Sequence, residues 1–546
     1  MGGHHMRRDA GRENQDIVLK NGLIVDGTGG RPYTANLLIR AGRIHRILPR
    51  AIRSRGVTID CSGRVVAPGF IDTHSHLDWQ LPLKGHDELK YPFLAQGITT
   101  VVGGNCGASA AGFREGSSLR AQAADNSMNT GQLVLQWDTV AELFERLAAS
   151  GASHNLALLA GHGSARASIR GMNPSPLHPY ETKELLRILE IALEHGARGV
   201  SVGLQYQPGL YARPDELKEV ALLVRHRDRI LAAHPRCVSA VAPGAPARSF
   251  AEGCNIAALR ELIDLARQTG VRLQISHLAF AGARTWKTSE SALRLIDDAL
   301  ADGVDVRFDV CAAHSTVAPV GAALSPWFQA KGRAGFEDMS ALRTLRKEMR
   351  KAERLLGLGA ADVRIADAVD PDLAEYNGKA LSEIARLRRS GAVEVLIDIA
   401  RRTSGRARVL YDRMGNDRVL AELIRHRASL FMTDASVERS GVQNPAAYGA
   451  FPRLLRVARD GKLLSLEDVI RRITGAAAER FAIRDRGVLK EGLAADITVF
   501  TWENVREGDS TDSMAPEGIE YVFVNGRKII GAGKKEGPLN AGVPVT

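Results

Sequence analysis

Eight short apolar segments, each followed by a stretch of helical periodicity, dominate the middle of this 546-residue chain. Strands that alternate with helices favour a parallel sheet, and eight repeats favour a closed barrel. We therefore predict an α/β fold, a (β/α)8, TIM-like barrel over residues 68–486 with extra helices in about 326–425. In chain order the candidate strands are GFIDTHSH, ITTVVGGNC, NLALLAGHG, ARGVSVGL, RILAAHP, RLQISHL, DVRFDVC and ASLFMTDAS.

Both ends of the chain have a different pattern, with short β-type segments separated by turn residues. Asn21-Gly22, Asp26-Gly27 and Asn525-Gly526 are pairs typical of hairpin turns. Two distant β-rich segments most simply pair with each other, so residues 17–67 and 487–535 are predicted to form one small β-sandwich domain. Residues 1–16 contain GGHHM and are interpreted as a tag remnant or disordered N-terminus.

The composition narrows the classes of partner. No apolar run is long enough to span a bilayer and no apolar segment opens the chain, so we expect a cytoplasmic protein without a membrane partner. The net charge of +11 comes from scattered Lys and Arg without interleaved aromatic residues, which favours a solvated basic surface over nucleic-acid binding. Five cysteines in a large chain indicate reduced thiols.

Chemically active side chains fall repeatedly at the carboxyl ends of the predicted strands, where barrels carry their active sites. His74 and His76 are one residue apart, and alternate residues of a strand face the same side, so both imidazoles can meet one metal ion. The residues at these strand ends are His74, His76, Cys106, His162, His234, His277 and Asp434.

A set of imidazole, thiolate and carboxylate ligands predicts a bound metal. Zn²⁺ suits this set best, with other divalent transition metals left open. Zinc lowers the pKa of its bound water to about 7, which makes a hydroxide nucleophile available at neutral pH. Asp434 is then predicted to act as general base and acid, taking a proton from the water and passing it to the leaving group.

These residues lie in motifs that resemble the metal-dependent amidohydrolase superfamily, and within it the D-aminoacylase (N-acyl-D-amino-acid deacylase) branch. The superfamily pattern is His-X-His after PGFID, and the branch pattern is GNCG at 104–107. The resemblance runs from residue 17 to about 530. Further matching segments are LLAGHGSAR, GARGVSVGLQYQPGLYA, ISHL, YGAFPRLLR and GLAADITVF.

The resemblance implies two metal positions, of which one or both hold zinc. Asp434 lies in MTDAS where the family has Ser-Asp-Gly, and Arg236 matches an Arg that follows the strand-five His. His162, between two glycines, is left open as a metal contact or a pocket support. The implied ligands are His74, His76 and Asp434 for the outer position and Cys106, His234 and His277 for the inner one.

Departures from the branch pattern concern the substrate. Members that cleave N-acyl-D-amino acids hold the free carboxylate with a Lys, a Tyr-Pro-Tyr stretch and an Arg, and the resemblance places small residues at these positions. A buried carboxylate without a paired cation is strongly disfavoured. The sequence therefore predicts a neutral, fairly apolar substrate, unless Arg439 or Arg284 replaces the missing anchor. The pocket candidates are Ala279, Cys311, Ala312, Ala313, His314 and Ala446.

The sequence leaves three functions to be distinguished. The first is metal-dependent hydrolysis of a carbon–nitrogen bond, other than a peptide bond, in an amide, urea, carbamate or cyclic amide. The second is N-acyl-D-amino-acid deacylation. The third is a non-enzymatic barrel scaffold, which all six retained ligand positions argue against. The partner is expected to be a small-molecule substrate, and a homo-oligomer is left open.

Overall fold

The computed structural model describes residues 15–126, 128–130, 132–241, 252–508 and 515–546. The predicted tag remnant lies outside the described residues except for its last two positions.

Eight parallel strands form the barrel, and each contains part of one predicted segment. Strand pairing follows chain order, and the first and last strands meet where the Thr73 N–H donates to Phe431 O over 3.3 Å. The side chains of these strands are almost all buried, as expected where helices cover a parallel sheet. The predicted barrel is confirmed. Its strands are Phe70–Asp72, Ile98–Gly103, Asn155–Gly161, Gly199–Gly203, Ile230–His234, Arg272–Ile275, Val306–Cys311 and Ser429–Met432.

Helices surround the barrel, and a side chain caps the first turn of some of them. Helix Val140–Ser150 has a capping box in which Thr139 accepts from the Glu142 N–H and Glu142 accepts from the Thr139 N–H. The other helices outside the insertion are Tyr91–Ala95, Arg120–Ala124, His162–Arg170, Pro179–Glu194, Pro214–His226, Cys254–Thr269, Ser289–Ala301, Asp417–Arg425, Ala446–Asp460, Leu466–Ile473 and Gly475–Arg480. Short 3₁₀ turns occupy Leu77–Trp79, Asp87–Leu89, Gly209–Tyr211, Thr285–Thr288, Val320–Ala323, Gly332–Phe336 and Pro371–Tyr376.

Strands from both chain ends form a second, nine-stranded sheet, as predicted. The two halves join where Val65–Pro68 pairs antiparallel with Ile497–Phe500. Buried Asp496 ties this sheet to the barrel, because its carboxylate accepts from Asn155 over 3.0 Å and pairs with Arg486. The remaining strands are Ile17–Ile24, Tyr33–Arg40, Arg43–Leu48, Val57–Asp60, Ile519–Val524, Arg527–Gly531 and Lys534–Lys535.

Two Asn-Gly pairs with the same sequence signature differ in the structure. Asn525-Gly526 forms the predicted hairpin turn, with φ of 47° and 78°, between two antiparallel strands. Asn21-Gly22 was predicted as a turn, and that prediction is wrong. It lies inside strand Ile17–Ile24, where the register shifts between Leu19 and Gly22 and Asn21 has φ of 59°. The left-handed residue therefore produces a β-bulge instead of reversing the chain.

An inserted layer, residues 316–411, separates barrel strands seven and eight and has its own core. Its helices are consistent with the extra helices expected there. The sequence did not predict its three-stranded sheet, because each strand has only four or five residues in a helix-rich stretch. The helices are Pro326–Gln329, Met339–Leu356, Leu381–Leu387 and Ala392–Arg402, and the strands are Thr316–Pro319, Val363–Asp367 and Arg408–Tyr411.

Among the described residues, no helix combines the length and the apolar character that crossing a membrane requires.

Candidate functional site

Four potential metal ligands meet at the carboxyl end of the barrel. One ligand atom from each of His74, Cys106, His277 and Asp434 lies within 4.8 Å of all the others. Cys106 Sγ is 3.3 Å from His74 Nε2 and 3.6 Å from His277 Nε2, and Asp434 Oδ1 is 3.4 Å from His74 Nε2. These four residues, which are far apart in the sequence, are called the donor cluster below.

The other two predicted ligands flank the donor cluster. His76 Nε2 is 3.6 Å from Asp434 Oδ1, and His234 Nδ1 is 3.6 Å from Cys106 Sγ. His234 Nε2 lies 2.9 Å from Gln205 Oε1. Because an amide oxygen only accepts, His234 donates from Nε2, and the lone pair of its Nδ1 faces the donor cluster. The structure thus brings all six predicted ligand residues together.

The backbone is in the left-handed region at three members of the donor cluster. Cys106, His277 and Asp434 have φ of 58°, 35° and 49°, a conformation that costs free energy in residues other than glycine and concentrates at functional sites. Gly104 allows the turn before Cys106, since a Cβ there would lie 2.0 Å from the Leu159 carbonyl oxygen. The chain therefore uses strained backbone to aim these side chains inward.

Burial sets the protonation of the histidines. It lowers the pKa of His74 to about 3 and that of His277 to about 4, and it lowers the pKa of His234 well below its usual value. All three imidazoles are therefore neutral at neutral pH, the form that binds a metal ion.

The two acidic members of the donor cluster shift in opposite directions. Burial raises the pKa of the Cys106 thiol well above its usual value, and the nearby Asp434 adds to this effect. Burial also acts to raise the pKa of Asp434, but the surrounding His277, His76 and His74 outweigh it and lower this pKa. Asp434 is therefore a carboxylate at neutral pH.

A buried carboxylate, Asp309, lies directly behind the donor cluster, and sequence reasoning missed it. Asp309 Oδ2 lies 3.9 Å from His74 Nδ1, and neither atom has a hydrogen-bond partner among the described residues. The other oxygen of Asp309 accepts from Thr73 over 2.6 Å and from Gln274 over 2.9 Å. Burial raises the pKa of Asp309 to about 7. The signal was present in the sequence, because Asp309 is the acidic residue in the middle of predicted strand seven, whose first residue, Asp305, lies before the observed strand.

A second missed contact comes from the segment after barrel strand four. The Tyr206 hydroxyl donates to the Cys106 carbonyl oxygen over 3.0 Å, and its ring meets the His234 ring edge-on with centroids 4.9 Å apart. Gln205 and Tyr206 together hold the loop that carries Cys106 against the strand-five histidine. Both lie in GARGVSVGLQYQPGLYA, a segment that resembles the family pattern. Neither residue was predicted as part of the site.

A cavity of about 340 Å³ opens onto the donor cluster and is lined mainly by apolar side chains. Among its described lining residues Arg408 is the one Arg or Lys, and it is not an unpaired cation. Its guanidinium contacts Glu438 Oε1 at 2.8 and 2.9 Å in a buried ion pair. Of the predicted pocket residues, Ala279, Cys311, Ala313 and His314 line this cavity.

The other predicted pocket residues lie elsewhere. His162 Nε2 is 2.8 Å from Glu216 Oε1, in a buried group that supports helix His162–Arg170. Arg236 contacts both oxygens of Glu261 at 2.9 Å. Four more residues are absent from the described cavity lining, where Asn444 is present: Ala312, Ala446, Arg439 and Arg284. Neither arginine considered as a replacement anchor thus reaches the cavity.

Residues 57–530 match the sequence profile described as the amidohydrolase family. An N-acyl-D-glutamate deacylase of Alcaligenes xylosoxydans xylosoxydans is 31% identical over 522 residues, which cover 94% of this chain and 93% of the relative. A D-aminoacylase of the same organism is 28% identical over 518 residues, which cover 94% of this chain and 94% of the relative.

Solved structures agree. The N-acyl-D-glutamate deacylase of Bordetella bronchiseptica, complexed with zinc and a phosphonate inhibitor, is 27% identical with a TM-score of 0.78, covering 98% of this chain and 100% of that one. A D-aminoacylase is 25% identical with a TM-score of 0.77, covering 97% and 99%. The predicted resemblance and the enzyme class are confirmed, and the chain belongs to the amidohydrolase family.

Proposed function

We propose that this protein hydrolyses a carbon–nitrogen bond in a neutral, fairly apolar substrate, with zinc held at the donor cluster. The observation that carries this proposal is the meeting of four potential ligands, flanked by His76 and His234, beside an apolar cavity. His74, His76 and Asp434 would hold an outer ion, and Cys106, His234 and His277 an inner one.

The residues fit such an ion. Neutral imidazoles, a thiol and a carboxylate are the donor types that zinc prefers. His74 directs Nε2 into the cluster, while its Nδ1 lies 3.9 Å from Asp309 Oδ2, on the side of the ring from which carboxylates orient metal-binding imidazoles. A buried thiol beside a carboxylate is costly to ionise alone, and a bound cation would stabilise the thiolate.

Asp434 is the residue best placed to move protons. When bound, zinc acts as a Lewis acid that lowers the pKa of water to about 7 and polarises a carbonyl group. Asp434 is ionised, and 20% of its side chain is exposed toward the cavity, whereas His74 is fully buried. Its carboxylate can therefore accept a proton from the attacking water and return it to the departing nitrogen.

The cavity supports a neutral substrate. A substrate carboxylate would need a cation or several hydrogen-bond donors, because its desolvation is costly. Ala279 and Ala313 offer neither, and the charge of Arg408 is balanced by Glu438. An aryl or alkyl amide, urea, carbamate or cyclic amide avoids this cost.

A second candidate is N-acyl-D-amino-acid deacylation, which the relatives favour, since two of them are named as deacylases of that class. The two candidates differ in the charge of the substrate.

The cytoplasmic location and the homo-oligomer stay predictions.

The test is an assay of the zinc-loaded enzyme on an anilide, a phenylurea and a cyclic amide beside N-acetyl-D-Met and N-acetyl-D-Glu. The proposal expects higher kcat/KM on a neutral substrate, loss on dialysis against a chelator, and recovery on adding zinc. Preference for the N-acetyl-D-amino acids would favour the second candidate. Activity that survives chelation, or no hydrolysis at all, would contradict the metal-dependent function.

A further inference from the structure

The cavity continues past the donor cluster into the inserted layer. Near the cluster its lining includes Ala279 and Ala313, and farther on it includes strand Thr316–Pro319 and two helices of the insertion. A space that only had to hold the reacting amide would end at the barrel rim. This one therefore has a second part, which we call the insert channel.

Helical periodicity gives the insert channel its apolar wall. On helix Met339–Leu356, Met349, Ala352 and Leu356 follow one another at spacings of three and four, so they share one face. Helix Ala392–Arg402 contributes Ala392 and Leu396 in the same way. These side chains are apolar, and the carboxylate of Glu353 on the first helix also lines the cavity, at an exposed position.

The size of the cavity suits more than a small acyl group. Ligand sites for molecules of drug size occupy roughly 300–1,000 Å³, and this cavity of about 340 Å³ is within that range. An acetyl amide would contact the donor cluster and leave the insert channel without a ligand group. An unfilled insert channel contributes nothing to the binding free energy. An apolar substituent that fills it would leave water and would therefore strengthen binding.

We propose that the insert channel binds an extended aliphatic chain carried by the substrate. This inference rests on the proposed function, and it specifies the substrate as an amide-type molecule with a long, unbranched apolar substituent. The chain can be attached on the carbonyl side or on the nitrogen side of the scissile bond. Both attachments present the same chemistry to Ala352, Leu356 and Leu396.

The experiment measures kcat/KM of the zinc-loaded, full-length enzyme on two series of neutral substrates. One series is acetyl, hexanoyl, decanoyl and tetradecanoyl anilide, and the other is the acetamides of aniline and of alkylamines of increasing length. In one of the two series we expect kcat/KM to rise about fourfold for each methylene group that is buried, until the channel is filled. This factor corresponds to about 0.8 kcal/mol for each methylene group. The series that rises shows which side carries the chain.

Two matched variants locate the effect. Ala392 and Ala385 are both partly buried and packed against the core of the inserted layer, but only Ala392 lines the cavity. Ala392→Phe should lower the ratio of kcat/KM for the longest-chain substrate to kcat/KM for acetanilide well below the wild-type ratio, because the ring fills part of the channel. Ala385→Phe should keep the wild-type chain-length profile, and thermal unfolding reports whether each variant folds.

Binding gives an independent readout that needs no turnover. The neutral dye N-phenyl-1-naphthylamine should bind the wild type and Ala385→Phe, decanamide should displace it, and Ala392→Phe should bind it weakly. Flat or falling chain-length profiles in both series, with acetanilide hydrolysed, would overturn the channel and leave the proposed function standing. If no amide is hydrolysed while the dye binds the wild type more tightly than Ala392→Phe, the proposed function would be rejected and the channel would stand.

Discussion

Replacing Glu438 by Gln tests why the cavity should reject carboxylates. Glu438 and Arg408 have side chains only 3% and 10% exposed, and their closest contact is 2.8 Å. Removing one partner of a buried ion pair costs about 3–5 kcal/mol, because the other charge stays buried without its partner. Because Glu438→Gln keeps the side-chain shape, we expect a loss near the lower end of this range. The free energy of unfolding, measured by urea denaturation, should fall by about 3 kcal/mol.

The same substitution should change specificity. It leaves Arg408 at the cavity wall without the balancing charge of Glu438. A charge-assisted hydrogen bond contributes about 1.5–3 kcal/mol, so the ratio of kcat/KM for N-acetyl-D-Met to that for acetanilide should rise about 10- to 100-fold. Glu353→Gln is the control, since it also removes one negative charge from the cavity lining, at an exposed position.

An unchanged ratio in folded Glu438→Gln would refute this account of carboxylate rejection. An equal rise in Glu353→Gln would refute it as well, because the effect would then follow net charge alone.

Three further predictions concern groups in and around the site. Asp434→Asn should lower kcat about 10²- to 10⁴-fold in steady-state assays while calorimetry still detects the inner zinc. Asp309→Asn should weaken zinc binding about 10- to 100-fold in chelator competition, because it removes the carboxylate behind His74. Burial lowers the pKa of His154 to about 3, so the folded state binds fewer protons than the unfolded state between that value and 6.5. Stability from this group is therefore lost as pH falls through that window, and the stability advantage of wild type over His154→Gln in urea titrations should shrink there.

Most of the fold could be predicted because the barrel repeats one local pattern. Each predicted strand is a short buried apolar run followed by a helix, so eight agreeing repeats outweigh an error in any single one. The failures are local. Asn21-Gly22 and Asn525-Gly526 have the same left-handed preference, and only the pairing of neighbouring strands decides between a bulge and a turn. The three short strands of the inserted layer depend on contacts within that layer.

The donor cluster followed from the sequence because ligand residues stand at the same end of successive strands. The contacts behind it did not follow. Asp309 and Gln205 act through His74 and His234, and such pairings depend on side-chain positions that spacing does not encode. The neutral pocket was predicted from the alanines at 279 and 313, whereas the buried pairing of Arg408 came only from the structure.

The zinc content of the purified protein tests the central claim most directly. After incubation with zinc and removal of free ions, elemental analysis should find one or two ions per chain in the wild type. A Cys106→Ala/His277→Ala variant that keeps its circular dichroism spectrum should lose the tightly bound ion, since two inner ligands are gone. A folded wild type that retains no zinc, or a double variant that retains as much as the wild type, would contradict the account.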